Sequence, residues 1–470
     1  PVPAVNVQRV CVMEGEWSPA SVIREIVEEG GQEDPFYVMD LGEVVRRYQH
    51  WKAMMPRVEP FYGERRRFSV QSFLELHVKI MSIFNTAVKC NDDKLLVRTL
   101  AALGAGFDCA SKAEIQLVMD MGVKAERIIF ANPAKMSSHI RYATSRGVTT
   151  MTFDSETELH KIKQISPEAR LVIRIRCDAA AAQCPLGIKF GCDPLTEAPR
   201  LLKLAAVLKL HVVGVSFHVG SGAGESAVYA RGIKMVRVLF DLGETLGLNM
   251  NLLDIGGGFA GNTNSDLGEV AEVVNAAIET NFSDSNVRVI AEPGRYFAAA
   301  AYTLAAMIHA TREVLEEGHT MYFINDGVYG SFNCVLYDHQ TIVPCDSRPQ
   351  ACSVWGPTCD GLDCVISSCR LPPLKAGQWL VFRDMGAYTL PVASAFNGFP
   401  VPRVRALVDK RLWAVLKDMW PLNEVDFTLE SRPTGPQSPS SLSPTSPLSR
   451  SPSPPPDTPH HTVFVECALK

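Results

Sequence analysis

Short apolar runs rich in β-branched and aromatic residues recur along the first two thirds of the chain. They fall at 58–62 or 83–89 (counted as one), 106–109, 127–132, 149–154, 170–175, 212–218, 252–255 and 287–292. Segments of helical period separate most of them, at 93–103, 113–121, 137–146, 156–165, 201–210, 230–246 and 269–282. Eight such units over roughly 240 residues predict an α/β fold, a (β/α)8 barrel of the TIM type spanning 44–300. A doubly wound sheet would need a glycine fingerprint opening the helix after the first strand, and the sequence has none.

The flanks follow another pattern. Residues 1–43 carry a predicted strand at 7–13, a helix at 19–29 and a strand at 36–40, and are expected to pack with a second domain. After Tyr296 the alternation stops. The runs 302–310, 320–324, 379–382 and 403–408 read as strands of a C-terminal β domain over 301–428, with turns at Asp326-Gly327 and Asp360-Gly361. Residues 429–470 are dominated by Pro and Ser, with repeated Ser-Pro pairs, so a disordered tail is expected there.

A net charge of -5 over 470 residues argues against nucleic acid or an anionic membrane as the main partner. No apolar run reaches the ~20 residues that cross a bilayer, and no secretory leader is visible. The 13 cysteines show neither CxxC pairs nor histidines at metal spacing. No metal site and no disulfide framework are therefore expected, and a reducing, cytoplasmic setting is. The chain opens on Pro1 rather than Met, from which an incomplete N-terminus is expected.

A barrel places catalytic groups at the C-terminal ends of its strands. Lys89, Asp108, Arg174, His218, the run Gly256-Gly257-Gly258 and Glu292 each close or follow a predicted strand. Any one of them alone would more often be a satisfied structural group; together they mark a site. A lysine at a buried strand end is poorly solvated, as a Schiff-base lysine needs. Ser221, Gly222, the three glycines and Pro293-Gly294-Arg295 offer a hydroxyl, unhindered N–H groups and a guanidinium, which suit a phosphate dianion. Glu292 would hold a ring nitrogen protonated, His218 would stack on that ring, and Asp108 and Arg174 would position both. These parts specify pyridoxal phosphate better than other phosphate cofactors.

Longer motifs carry a resemblance. GFDCASK at 106–112, VSFHVGSG at 215–222, LDIGGGF at 253–259, AEPGRY at 291–296, NDGVYGSFNCVLYDH at 325–339, WGPTCDGLD at 355–363 and MGAYT at 385–389 are similar to the eukaryotic ornithine decarboxylase family, pyridoxal-phosphate enzymes with an alanine-racemase-like barrel. The likeness spans about 10–415, with one interruption. It implies Lys89 as the cofactor lysine, Glu292 at the pyridine nitrogen and His218 on the ring. It implies Ser221, Gly258, Pro293, Gly294, Arg295 and Tyr388 around the phosphate. Tyr337 and Asp338 would serve the substrate pocket from one chain of a homodimer, and Cys359 and Asp360 from the other. Asp338 and Asp360 would bind the distal ammonium of L-ornithine, and Cys359 would protonate Cα after CO2 leaves, giving putrescine. Lys189 with Asp363 would form an inter-subunit ion pair, and Gly386 would pack in the dimer interface. An antizyme inhibitor, a close relative without decarboxylase activity, is the competing reading. Residues 132–165 resemble an antizyme-binding surface, with Lys135, His139, Arg141 and Arg146 as candidate contacts.

The interruption falls beside the lysine. The family run Pro-Phe-Tyr-Ala-Val-Lys-Cys-Asn is split here into Pro60-Phe61-Tyr62 and Ala87-Val88-Lys89, with 63–86 between. The codons available at 63–64 and 86–87 fit a retained intron, which is the expectation for this segment. If the segment is translated, 80–86 is expected to replace the missing half-strand.

Overall fold

The computed structural model describes residues 9–58, 85–179, 186–222, 224–283, 286–316, 318–345, 350–422, 428–432 and 464–469. Eight parallel strands form one curved sheet in chain order: Asn85–Ala87, Gly106–Cys109, Ile128–Phe130, Thr150–Phe153, Arg170–Arg176, His211–His218, Leu252–Asp254 and Arg288–Ile290. A parallel bridge between Val58 and Val289 joins the chain entering the first strand to the last one. The architecture is the expected TIM-type barrel with a separate β domain.

That first strand is made in two pieces. Val58 pairs on the side of the last strand, and Asn85–Ala87 pairs with Gly106–Asp108 on the other. The slot before Ala87, which the family run fills with tyrosine, is Thr86 here. The half-strand expected within 80–86 is therefore present in its last residues, 85 and 86. The rest of the proposed intron segment lies outside the described residues.

Local sequence sets the helix starts on the barrel's upper rim. Asp93 accepts from the N–H groups of Leu95 and Leu96 and caps Lys94–Ala102. Ser111 caps Lys112–Asp120 in the same way. The barrel core is closed by a fully buried aromatic group, with Trp51 4.7 Å from the Phe259 ring and 5.4 Å from Tyr296.

The N-terminal strands Arg9–Met13 and Phe36–Asp40 join the β domain. Phe36–Asp40 lies between Tyr302–Val314 and Arg403–Asp409, and Arg9–Met13 lies between Arg403–Asp409 and Thr428–Arg432. Three strands were not legible in the sequence: Ile342–Pro344, Gln350–Trp355 and Cys364–Leu371. The expectation of a disordered tail from 429 onward is corrected at both ends. Thr428–Arg432 pairs with the first strand, and Phe464–Leu469 inserts between Ile342–Pro344 and Trp379–Arg383, burying Val465, Cys467 and Leu469. A short alternating run suffices when a sheet already offers two open edges. The Pro/Ser stretch at 433–463 lies outside the described residues.

Barrel and β domain meet at the lysine. The Tyr388 N–H donates to Cys90 O at 2.9 Å, and Asn91 Nδ2 donates to Gly386 O at 2.8 Å. Gly386 was expected in a dimer contact, but within one chain it already faces the barrel: a Cβ there would stand 1.9 Å from Ala298 O and 2.6 Å from the Tyr302 ring. Gly386→Ala is expected to lower the stability of the isolated chain by about 1–3 kcal/mol through overpacking, read as a shifted denaturation midpoint at dilutions where subunits do not associate.

Candidate active site

Lys89 sits in a tight 3-10 turn, Val88–Cys90, directly after the first barrel strand. Its neighbours Val88 and Cys90 are buried, whereas its own side chain is 39% exposed and opens into a cavity at the strand ends. The expectation of a buried strand-end lysine is thus modified: the turn is buried, the amine faces the cavity. Lys89 Nζ stands 3.8 Å from Asp108 Oδ2, an ion-pair distance too long for a hydrogen bond. Asp108 is 2% exposed, and neither carboxylate oxygen has a hydrogen-bond partner among the described residues.

Across the cavity stands a second acid pair. Asp254 is fully buried at the end of the seventh strand, and its Oδ1 accepts the Gly256 N–H at 2.9 Å. Its side chain also meets that of Glu292, a contact that is favourable when the two share a proton. Burial, with Asp254 adding to it, pushes the Glu292 carboxyl up to about 8. Burial raises Asp254 to about 7, and raises Asp108 to about 7 with Glu292 adding to it. Three buried carboxyl groups around one lysine favour a cationic ligand group between them. Asp254 is the functional residue the sequence reading missed. Its signal was present, since it precedes the glycine run at a strand end.

His218 closes the sixth strand. Its Nδ1 accepts the Gly220 N–H at 3.0 Å, which fixes the neutral tautomer with hydrogen on Nε2. Burial, aided by the Arg174 and Lys89 charges, pushes its pKa well below the ordinary value, so the ring is neutral. The space beside it exists because residue 257 is glycine: a Cβ there would lie 2.7 Å from His218 Nε2 and 2.9 Å from Glu292 O. Arg174 is buried nearby with its guanidinium over the Phe190 ring at 5.5 Å.

The expected phosphate cup is assembled. Arg295 Nη2 donates to Ser221 Oγ at 2.9 Å, and its guanidinium lies 5.0 Å above the Tyr388 ring. Gly257, Gly258, Pro293 and Gly294 complete the wall. Gly258 adopts φ +101 and packs where a Cβ would meet Gly220 O at 2.6 Å, so only glycine fits. A buried Asp108 beside the Lys89 amine, a neutral flat ring and an arginine–serine–glycine cradle together fit pyridoxal phosphate.

The remaining expected residues stand apart from this cavity. Asp338 lies at its rim with Oδ2 2.6 Å from Arg295 Nη2, so it balances the arginine. Tyr337 is 68% exposed. Cys359 is exposed and Asp360 half-buried on the loop between strands Gln350–Trp355 and Cys364–Leu371, where Asp360 accepts from Leu362 N–H and the Tyr329 hydroxyl. None of these four lines the cavity of their own chain. Lys189 is exposed, whereas Asp363 is 1% exposed and accepts from Val328 N–H, Thr358 N–H and the Thr358 hydroxyl. Asp363 thus anchors its own loop, and the expected ion pair with Lys189 would have to reach a buried carboxylate. Lys135 is corrected as a surface contact. It is buried, 2.8 Å from Glu158 Oε1, and donates to the carbonyls of Asn132 and Thr152.

Comparison with known proteins agrees with this geometry. Residues 64–299 match the family described as "Pyridoxal-dependent decarboxylase, pyridoxal binding domain". The chain is 44% identical to ornithine decarboxylase of Rattus norvegicus over 84% of this chain and 85% of that protein. It is 43% identical to antizyme inhibitor 2 of Xenopus laevis over 84% and 86% of the two chains. The arginine decarboxylase of Paramecium bursaria Chlorella virus, solved with agmatine bound, superposes with a TM-score of 0.73 at 34% identity, covering 82% of this chain and 99% of that one. With a barrel, a lysine and a phosphate cradle of this kind, and likeness of this extent, the chain belongs to the pyridoxal-dependent decarboxylases.

Proposed function

We propose that this protein decarboxylates L-ornithine to putrescine and CO2, the entry reaction of polyamine synthesis, as a cytoplasmic homodimer. The observation that carries the reading is the pairing of Glu292 with Asp254 across the cavity from Lys89, beside the Arg295–Ser221 cradle. Pyridoxal phosphate, when bound, supplies the electron sink for the pair left behind as CO2 departs. The chain's own residues prepare that event. Lys89 would hold the cofactor through its amine, which faces the cavity. Glu292, backed by Asp254, would face the ring nitrogen as a carboxylate and hold the proton on that nitrogen. Neutral His218 covers the ring face and adds no positive charge there. Arg295 and Ser221 fix the phosphate, and Asp108 and Arg174 hold Lys89 and the ring edge in register.

Substrate choice is assigned to Asp338 and Asp360, whose carboxylates suit the distal ammonium of a diamino acid. Cys359 is assigned the proton returned to Cα. Because Cys359 is exposed and Asp360 half-buried on the β domain, where Tyr337 and Leu362 are 68% and 67% exposed, we assign Cys359 and Asp360 to the barrel of a second copy. Lys189 is assigned to that contact as well, with Asp363 and Gly386 shaping it from within their own chain. The antizyme-inhibitor reading is disfavoured because Lys89, Asp108, Glu292, Arg295 and Cys359 are all retained. Antizyme binding itself is assigned to the face carrying His139, Arg141 and Arg146.

Mixing subunits tests both the activity and the sharing. Lys89→Ala and Cys359→Ala homodimers should each lose nearly all CO2 release from ornithine. An equal mixture should recover about a quarter of the wild-type rate, since half the dimers then own one complete site. No recovery would place both residues in one chain's site, and wild-type protein lacking cofactor absorbance and CO2 release would leave the inhibitor reading.

The raised carboxyls give a pH signature to the cofactor-free protein. Stability contributed by protonated Glu292 is fully present below the ordinary value of 4.5 and is lost as pH rises through about 8. Thermal midpoints should fall across that range, and Glu292→Gln should flatten the fall. Bound cofactor should flatten it too, because a cationic ring stabilises the carboxylate.

A further inference from the structure

The hairpin that presents Cys359 and Asp360 rests on a pair of thiols that the reaction does not use. Cys352, in strand Gln350–Trp355, and Cys369, in strand Cys364–Leu371, are direct cross-strand partners in an antiparallel pair. Their sulfurs lie 3.4 Å apart. Residues directly opposite in such a pair have Cα atoms about 4.5–5.5 Å apart, within the span a disulfide bridges. The sulfurs need to approach by little more than 1 Å to reach the bonded distance of about 2.05 Å.

The frame around them is firm. Gln350–Trp355 also pairs with His319–Ile324 on its other side, and Ser353 between the two ladders receives hydrogen bonds from the Trp355 indole at 2.8 Å and pairs with His319 Nε2 at 2.8 Å. Cys352 is fully buried, whereas Cys369 is half-buried and within reach of a small oxidant. The thiol contact also favours loss of the first proton from Cys352, because the Cys369 S–H stabilises that sulfur as an anion: the Cys352 pKa is lowered and that of Cys369 is raised.

We propose that Cys352 and Cys369 are a peroxide-sensitive dithiol that closes to a disulfide at the base of the 355–363 hairpin. One thiolate attacks a peroxide oxygen, the O–O bond breaks, and sulfenic acid forms with hydroxide, which takes up a proton to leave as water. The second thiol attacks the sulfenic sulfur; the S–S bond forms, the S–O bond breaks, and the hydroxyl leaves with the thiol proton as a second water. Two thiols are oxidised by two electrons and one peroxide is reduced to two waters. The consequence is local: the hairpin's two strands become covalently tied four residues before Gly356 and six after Asp363 on either side of the exposed loop. The inference holds whichever amino acid the enzyme decarboxylates.

Nearby thiols provide competing outcomes. Cys467 is fully buried on the inserted strand Phe464–Leu469, and Cys345 and Cys359 are exposed. The test uses the purified full-length chain, reduced and then treated with hydrogen peroxide. Remaining thiols are alkylated in denaturant, and an Asp-specific protease cuts before Asp360 and Asp363 so that Cys352 and Cys369 fall in different fragments. Tandem mass spectrometry should find these fragments joined through Cys352 and Cys369, and separated again by dithiothreitol. Hydrogen exchange in 355–363 should slow in the oxidised protein, and C352S should show neither the linked fragment nor the slowing. Should C352S fail to fold, C369S at the half-buried position carries the same comparison. Full alkylation of both thiols after peroxide, or a Cys369–Cys467 link instead, would overturn the proposal.

Discussion

The site depends on two hydrogen bonds between unlike parts of the molecule, one main-chain and one from a side-chain amide. The Lys89 turn cannot be held by its own strand, which is three residues long and was rebuilt around an interruption. It is held instead where Tyr388 N–H reaches Cys90 O and Asn91 Nδ2 reaches Gly386 O. These bonds are buried, so breaking either leaves an unsatisfied polar group and costs about 1–3 kcal/mol. The same segment carries Tyr388 under the Arg295 guanidinium. One short stretch of the β domain therefore sets the position of both the lysine and the phosphate arginine.

Electrostatics then does what the backbone cannot. The barrel gathers Asp108, Asp254 and Glu292 where desolvation penalises each charge, and offers them one nearby amine. An arrangement of this kind is strained when empty of positive charge and relaxed when a cation enters, which is differential binding in electrostatic form. His218 is kept neutral by the same burial, so the ring face it offers adds no competing charge.

The barrel was legible because its signal is repeated: eight short apolar runs, seven of them followed by a helix of clear period, so that an error at one unit does not disturb the others. The site residues were legible for a related reason, since they fall where strands end. What stayed hidden was of a different kind. Gln350–Trp355 and Cys364–Leu371 are rich in Cys, Ser and other small residues and lack strict alternation, so their pairing comes from the neighbours rather than from propensity. Phe464–Leu469 was masked by the Pro/Ser composition before it. Lys135 looked like a surface cation, but its role is set by Glu158 on the helix Glu156–Ile165, a contact that sequence spacing alone does not reveal. Asp254 was overlooked because a carboxylate before three glycines reads as a turn residue until Glu292 is brought against it.

Placing the lysine through a seam rather than through a strand has a thermodynamic corollary. If 385–389 and the Lys89 turn order each other, then whatever favours the ordered seam favours cofactor retention, and the coupling must act equally in the reverse direction. A neighbouring subunit that buttresses the β domain would tighten the grip on the cofactor, and a loaded site would in turn hold the subunits together. Assembly and loading then share one equilibrium, and the split first strand is what transfers control of the lysine from the barrel to that seam.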